Sequence, residues 1–250
     1  MPSLFEQARP RAWQDVAGQD RAVAQVRKVL GRGWGGRAFW IAGPSGQGKT
    51  TIARLIADDG ADSWATWEID GQDCTMDYIR DMVDEQFACR SLGVGGKCWI
   101  INEAQGMRAA IADRFLTALE GMPDHCCIIF TSSKPVEMDL FGEAHYALPF
   151  YSRCVVVTLK DGPAVRQALA RRAKAVAVAH GCDGLPDWTY DAGIDHCQGN
   201  LRALLQAVES GQLADVARAE LTAYLNQPTS KQDGVRRAEC QARLAELEGA

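Results

Sequence analysis

Several things are missing from this 250-residue sequence, and each absence removes a class of protein. No two cysteines stand in C-x-x-C spacing. The nine present (Cys74, Cys89, Cys98, Cys126, Cys127, Cys154, Cys182, Cys197, Cys240) are too scattered for a structural zinc module or a thioredoxin-type pair. They are expected to act as small buried hydrophobes in a reducing cytoplasm. No run of about 18 apolar residues occurs, and the N-terminal MPSLFEQARPRAWQDV lacks the apolar segment of an export signal. The reading is a soluble, cytoplasmic chain with no membrane partner. There is no basic excess either: 27 Lys and Arg against 32 Asp and Glu give a net charge of −5. That excludes a surface holding nucleic acid by bulk charge and leaves room for a local basic patch. Internal repeats and low-complexity linkers are absent as well.

What is present is ordinary globular composition, 47% hydrophobic and 24% charged, enough for one large domain and a small one. Short apolar runs alternate with helical patterns: AFWIA, TTIARLIADDG, WATWEID, MDYIRDMVDEQF, KCWIINE, AIADRFLTALEGM, HCCIIFTSS. This predicts an α/β domain over residues 1–157, a parallel sheet covered by helices on both faces. After SRCVVVTLK come three stretches with helical spacing, GPAVRQALARRAKAVAVAHG, LPDWTYDAGIDHCQG and NLRALLQAVESGQL, and no strand between them. A small all-helical domain over 158–227 follows. The charged tail 228–250 reads as an exposed or partner-packed helix.

The strongest motif is GPSGQGKT, running Gly43, Pro44, Ser45, Gly46, Gln47, Gly48, Lys49, Thr50, with Thr51 next. It fits G-x-x-x-x-G-K-[ST] and lies between the run ending at Ala42 and a helical pattern. A glycine-rich turn aims backbone N–H groups at phosphates, and the helix behind it offers its positive end. Lys49 then reaches the outer phosphates and Thr50 gives a hydroxyl to Mg²⁺, so ATP and Mg²⁺ are the expected ligands. Other strand ends converge on the same edge of such a sheet. CWII ends in Asn102 and Glu103, and CCIIF ends in Thr131, Ser132 and Ser133. Glu103 is placed to orient or deprotonate a water, and a hydroxyl from the Ser132/Ser133 pair, with Ser133 as the site candidate, to hydrogen-bond that water or the phosphate.

The order of motifs is recognisable at this point. ARPRAWQDVAGQDRAV, GPSGQGKTTIARLIA, WEIDGQDCTMDYIRDMVDE, INEAQGMRAAIADRFLTALEGMPDHCCIIFTSS and YSRC together resemble the AAA+ ATPase core of sliding-clamp loader subunits, the replication factor C and DNA polymerase III gamma/tau group. The resemblance covers Arg9 to Val157 closely and reaches Val208 more loosely. It implies P-loop NTPase chemistry, other AAA+ subunits as partners in a homo- or hetero-oligomer, a sliding clamp or equivalent protein, and primer-template or other DNA. It implies an arginine finger at Arg153, acting on the ATP of a neighbouring subunit, and a contact from Arg202 to the γ-phosphate of its own subunit. It also implies adenine contacts near Val16 and Ala17. Arg108, Arg80, Arg114 and Arg90, read as lying on helices near the inner face, are candidate DNA contacts.

Departures from the family pattern are as informative. The metal-side Asp is Asn102 here, whose amide oxygen still accepts a hydrogen bond from metal-bound water but brings no charge. An aspartate restored at 102 is therefore expected to raise Mg²⁺ affinity. Ser133 stands at the family's sensor-1 Asn. The cysteine-rich zinc module is absent, and about 40 residues follow Val208, too few for a collar domain. Either the C-terminal helix or another subunit is expected to replace the collar. Two other readings stay open: an ATP-binding subunit that hydrolyses little and donates Arg153, and another DNA-directed motor, a helicase loader or branch-migration ATPase.

Overall fold

The computed structural model describes residues 2–134, 147–182, 184–226 and 234–248. Its contacts divide into two compact units, Pro10–Lys160 and Met1–Arg9 with Asp161–Ala250.

The first unit is built on five parallel strands, β1 (Arg37–Ala42), β2 (Ala61–Asp70), β3 (Gly96–Asn102), β4 (Cys126–Ser132) and β5 (Cys154–Thr158), in the order β2-β3-β4-β1-β5. The three central strands are the apolar runs of the sequence, buried along nearly their whole length because both faces are covered. The edge strand β2 is mostly exposed or partly exposed instead, with Ala65 buried. Successive side chains of β1 serve opposite faces. Phe39 and Ile41 pack with Ile52 and Ile56 of α3 (Lys49–Asp58) and Val26 of α2 (Asp20–Leu30). Trp40 packs with Phe115 of α5 (Ala109–Glu120) and Phe150 of α6 (Ala147–Arg153). Trp40 is fully buried, stacked on Phe130 at 5.5 Å and meeting Phe150 and Tyr151 edge-on at 5.6 Å. This aromatic group lies in the strand that feeds the glycine-rich loop, so the loop springs from a stiff part of the core.

The stretch MDYIRDMVDEQF starts as α4 (Met76–Asp81), capped by Thr75, whose hydroxyl accepts from the Tyr78 N–H at 3.1 Å, and widens into one π-turn over Met82–Gln86. Burial keeps the interior thiols neutral. It pushes Cys74 and Cys126 up to about 12, and Cys98 well above the ordinary thiol value.

The second unit is helical: α1 (Leu4–Gln7), α7 (Pro163–Ala179), α8 (Asp187–His196), α9 (Leu201–Glu209), α10 (Leu213–Leu225) and α11 (Gly234–Glu248). Pro163 opens α7, where its missing N–H costs nothing. Asn200 caps α9 by accepting from the Ala203 N–H at 3.2 Å. Helix α10, not among the three stretches read from sequence, buries Leu213, Ala217 and Leu221 at four-residue spacing. Helix α11, the described part of the charged tail, packs within its own unit. Trp188 donates to Glu246 at 3.0 Å, and Leu247 lies buried with Ala192 and Ala217. The boundary expected at 227/228 lies outside the described residues. Among the described residues, no helix is long and apolar enough to cross a membrane.

Candidate active site

The loop after β1 takes the shape its glycines permit. Gly46 and Gly48 have φ of 75° and 96°, in the left-handed region that favours glycine, and a Cβ on Gly43 would meet the Leu159 Cβ at 2.8 Å. Gly48 is the N-cap of α3 and supplies no side-chain cap, so the first-turn N–H groups of this ten-residue helix have no side-chain acceptor there. Pro44 and Ser45 are exposed at the tip, whereas Thr51 turns into the core. The Nε2 of Gln47 is buried with no hydrogen-bond partner among the described residues. A glycine-rich loop ending on a helix N-terminus, with the buried Gln47 Nε2 left without an acceptor, fits a phosphate-bearing ligand.

Lys49 is 6% exposed and curls back over the loop. Its Nζ donates to the carbonyls of Gly43 at 2.9 Å and Pro44 at 3.0 Å, and to the Ser133 hydroxyl at 3.2 Å. Ser133 in turn donates to the Glu103 carboxylate, 2.9 Å and 3.0 Å from its two oxygens. Lysine from the start of α3, serine from the end of β4 and glutamate from the end of β3 thus form one connected line. Glu103 is further held by Gln105, whose Nε2 donates at 2.5 Å. Its backbone is left-handed, φ 45° and ψ 47°, an uncommon state for a residue with a side chain, and its N–H donates to Thr131 at 3.3 Å.

Asn102 sits beside this line. Thr50 and Thr131 both donate to its Oδ1, at 3.2 Å and 3.0 Å, while its Nδ2 donates to Glu68 at 2.6 Å. Glu68 also pairs with Arg54 at 2.9 Å. The grouping of hydroxyl and amide oxygens at Thr50 and Asn102 suits a hard cation such as Mg²⁺.

The other sequence candidates lie as follows. Val16 is buried among Phe39, Ile41 and Ile52, with Ala17 partly exposed after it. The following Gln19 ties this segment to the loop by donating to Gln47 at 3.1 Å and to the Lys160 carbonyl at 3.0 Å. Arg153 ends α6, donates to the Pro149 carbonyl at 3.0 Å and forms an ion pair with Glu120. Arg202 belongs to the helical unit, its guanidinium 4.8 Å over the Phe5 ring. Arg80 pairs with Asp77 at 3.0 Å, and with Arg114 it lines a cavity of about 180 Å³ floored by Ile79, Val83 and Phe87. Arg108 is exposed at the N-cap of α5. Arg90 was expected on a helix. It lies in the loop before β3 instead, gripping Asp124 at 2.7 Å and 2.9 Å, because the helix has already ended in the π-turn. Sequence reasoning missed Glu68, Gln105 and Gln19, which lie within the quoted stretches but were given no task. Thr131 was visible as a strand end but was given no task.

No family model matches the chain. Among curated proteins it is similar to DNA polymerase III subunit tau of Bacillus subtilis (strain 168), 26% identical over 162 residues, 55% of this chain and 28% of tau. The chain therefore corresponds to a little over a quarter of that relative's length. Among solved structures it resembles the Thermotoga maritima RuvB Holliday junction branch migration motor, with a TM-score of 0.62 at 16% identity, covering 86% of this chain and 72% of that one. Domain III of the Thermotoga maritima replication initiation protein DnaA gives 0.59 at 13% identity, covering 86% and 97%. NtrX from Brucella abortus, in complex with ATP, gives 0.54 at 20% identity, covering 90% and 60%. The fold is that of the AAA+ P-loop NTPases, and the sequence likeness is to DNA polymerase III tau.

Proposed function

We propose that this chain is a clamp-loader-like AAA+ ATPase, binding and hydrolysing ATP at subunit interfaces to load a sliding clamp, or a related replication or repair factor, onto DNA. One observation carries the reading. Lys49, Ser133 and Glu103 are joined by hydrogen bonds at the sheet edge where the glycine loop opens, and Thr50 and Asn102 lie alongside.

The chain's own groups divide the work. The loop from Gly43 to Thr51 holds the phosphates by its N–H groups, and Val16 and Ala17 border the adenine. Lys49 leaves the carbonyls of Gly43 and Pro44 for the outer phosphates, exchanging neutral acceptors for charged ones. Thr50 and Asn102 would hold Mg²⁺, which when bound offsets charge on the phosphate oxygens. Glu103 accepts the proton of the attacking water, and Ser133 keeps its carboxylate aligned. Arg153 acts on the neighbouring subunit's ATP, neutralising charge that grows as the γ-phosphoryl leaves. By the resemblance, Arg202 is the candidate contact to the γ-phosphate, and the helical unit the lid domain. Arg108, Arg80 and Arg114 are the candidate DNA contacts.

Two observations favour other readings. The uncharged amide at 102 favours an ATP-binding subunit that hydrolyses little and donates Arg153. The RuvB-like fold favours another DNA-directed motor. Mass in solution and phosphate release, measured with ATP and either primer-template or branched DNA, separate the three. The clamp-loader reading expects ATP-dependent assembly and release stimulated by primer-template. A monomer without release supports the second reading, and stimulation by branched DNA alone supports the third.

A further inference from the structure

The hydrogen bond between β2 and β3 at the metal side of the site is not explained by the motifs. Glu68 lies two residues before Asp70, and Asp70 is the register partner of Asn102, so Glu68 and Asn102 are diagonal neighbours on adjacent parallel strands. We propose that Glu68 is a positioning residue which carries, one strand over, the negative charge that residue 102 lacks, and which turns the Asn102 amide oxygen toward Thr50. The proposal deepens the Mg²⁺–nucleotide reading of this site and rests on it.

A carboxamide has two nearly isosteric ends, and its partners decide which end faces which way. Here the two ends have opposite surroundings. Nδ2 lies 2.6 Å from a Glu68 oxygen, where an amide oxygen would meet only another acceptor. Oδ1 receives the hydroxyls of Thr50 and Thr131. Thr131 accepts the Glu103 N–H and gives its one proton to this oxygen. Glu68 is steadied from its other side by the Arg54 Nε at 2.9 Å. The donors and acceptors run consistently from Arg54 and Asn102 into Glu68, and from Thr50 and Thr131 into Asn102.

This arrangement changes the expectation for Asn102→Asp. A carboxylate at 102 would face the Glu68 carboxylate at hydrogen-bond distance with no proton between them, a like-charge contact. The benefit expected from sequence therefore requires position 68 to be neutral as well. In the exchange variant, which combines Glu68→Gln with Asn102→Asp, the amide placed at position 68 donates to the carboxylate placed at position 102. The net charge is unchanged, and the carboxylate moves to the strand end beside Thr50. In Glu68→Gln alone, a single amide oxygen must serve both Arg54 and Asn102, so the orientation of Asn102 is no longer enforced.

The test is a double-mutant cycle on the full chain: wild type, Glu68→Gln, Asn102→Asp and the exchange variant. Two readouts are taken, the thermal midpoint without nucleotide and the Mg²⁺ concentration that half-saturates binding of methylanthraniloyl-ATP. Asn102→Asp is expected to lower the midpoint and to leave the Mg²⁺ requirement no better than wild type. Glu68→Gln is expected to raise that requirement by about fivefold, and the exchange variant to recover both quantities, a coupling within the range of residues in direct contact. Additive effects, or tighter Mg²⁺ dependence in Asn102→Asp alone, overturn the proposal. If wild type binds no methylanthraniloyl-ATP at any Mg²⁺ concentration, the nucleotide-site reading fails instead. The midpoints still report whether the two side chains are coupled.

Discussion

Replacing Ser133 with alanine isolates the contribution of one hydroxyl to the connected line of side chains. The Oγ lies 2.9 Å and 3.0 Å from the two Glu103 oxygens, and it receives Lys49 at 3.2 Å. A hydrogen bond to a charged group contributes about 1.5–3 kcal/mol. Glu103 keeps a second partner in Gln105, so the lower half of that range applies and the carboxylate is loosened without being freed. At about 1.4 kcal/mol per tenfold in rate, the chemical step should slow by about 10- to 50-fold. Ground-state affinity should change little, because Lys49 retains the carbonyls of Gly43 and Pro44 and can still move to phosphate. Single-turnover hydrolysis of radiolabelled ATP gives the chemical step, and a fluorescent ATP analogue gives the affinity. Ser133→Asn, whose amide restores a donor, should recover most of the rate. A single-turnover rate within twofold of wild type in Ser133→Ala would show that the hydroxyl does not align the base, and the roles given to Ser133 and Glu103 would both have to be revised.

Lys49→Ala should weaken binding of a fluorescent ATP analogue by about 100-fold or more, the loss of two charge-assisted hydrogen bonds, while far-UV circular dichroism stays that of the wild type. Unchanged affinity would refute the assignment of the loop. Arg153→Ala should leave nucleotide binding by the isolated chain alone and reduce turnover of the assembled protein, whereas Glu120→Gln, which releases the guanidinium from its ion pair, should keep turnover at or above wild type. Mixed assemblies of mutant and wild-type subunits test this, and an unchanged rate with Arg153→Ala removes the finger. Trp40→Ala should cost about 3–5 kcal/mol in urea unfolding, because a fully buried indole against three aromatic rings leaves a cavity. A loss below 1 kcal/mol, roughly a one-methylene change, would contradict that packing. Iodoacetamide at pH 8 should modify the exposed Cys89 and Cys182 first and spare Cys74, Cys126 and Cys154, whose thiols burial pushes up to about 12. Mass spectrometry of peptides taken at early times reads the order.

Legibility from sequence followed burial. The central strands were readable because strands covered on both faces are continuous apolar runs. The glycine loop was readable because a fixed spacing encodes a backbone shape. Helix α10 escaped because its buried positions, Leu213, Ala217 and Leu221, include an alanine and are set among other alanines and charges, which weakens the contrast between faces. Arg90 was misplaced because a π-turn ends its helix early, and helix periodicity carries no mark of that turn. Glu68 could not be found at all. Its importance lies in the diagonal pairing of two strands about thirty residues apart in sequence, and register between parallel strands is not written in either strand alone.

The left-handed backbone of Glu103 sets function and robustness against each other at a single codon. Holding a residue with a Cβ in that conformation costs about 1–2 kcal/mol that glycine would not lose and asparagine would lose only in part. A library randomised at position 103 and selected only for survival on heating should therefore drift to Asn or Gly. The same library selected for ATP turnover should return to Glu and accept the lower melting temperature. The ratio of residues recovered under the two regimes would measure, in population terms, how much stability this chain gives up to keep a carboxylate at that turn.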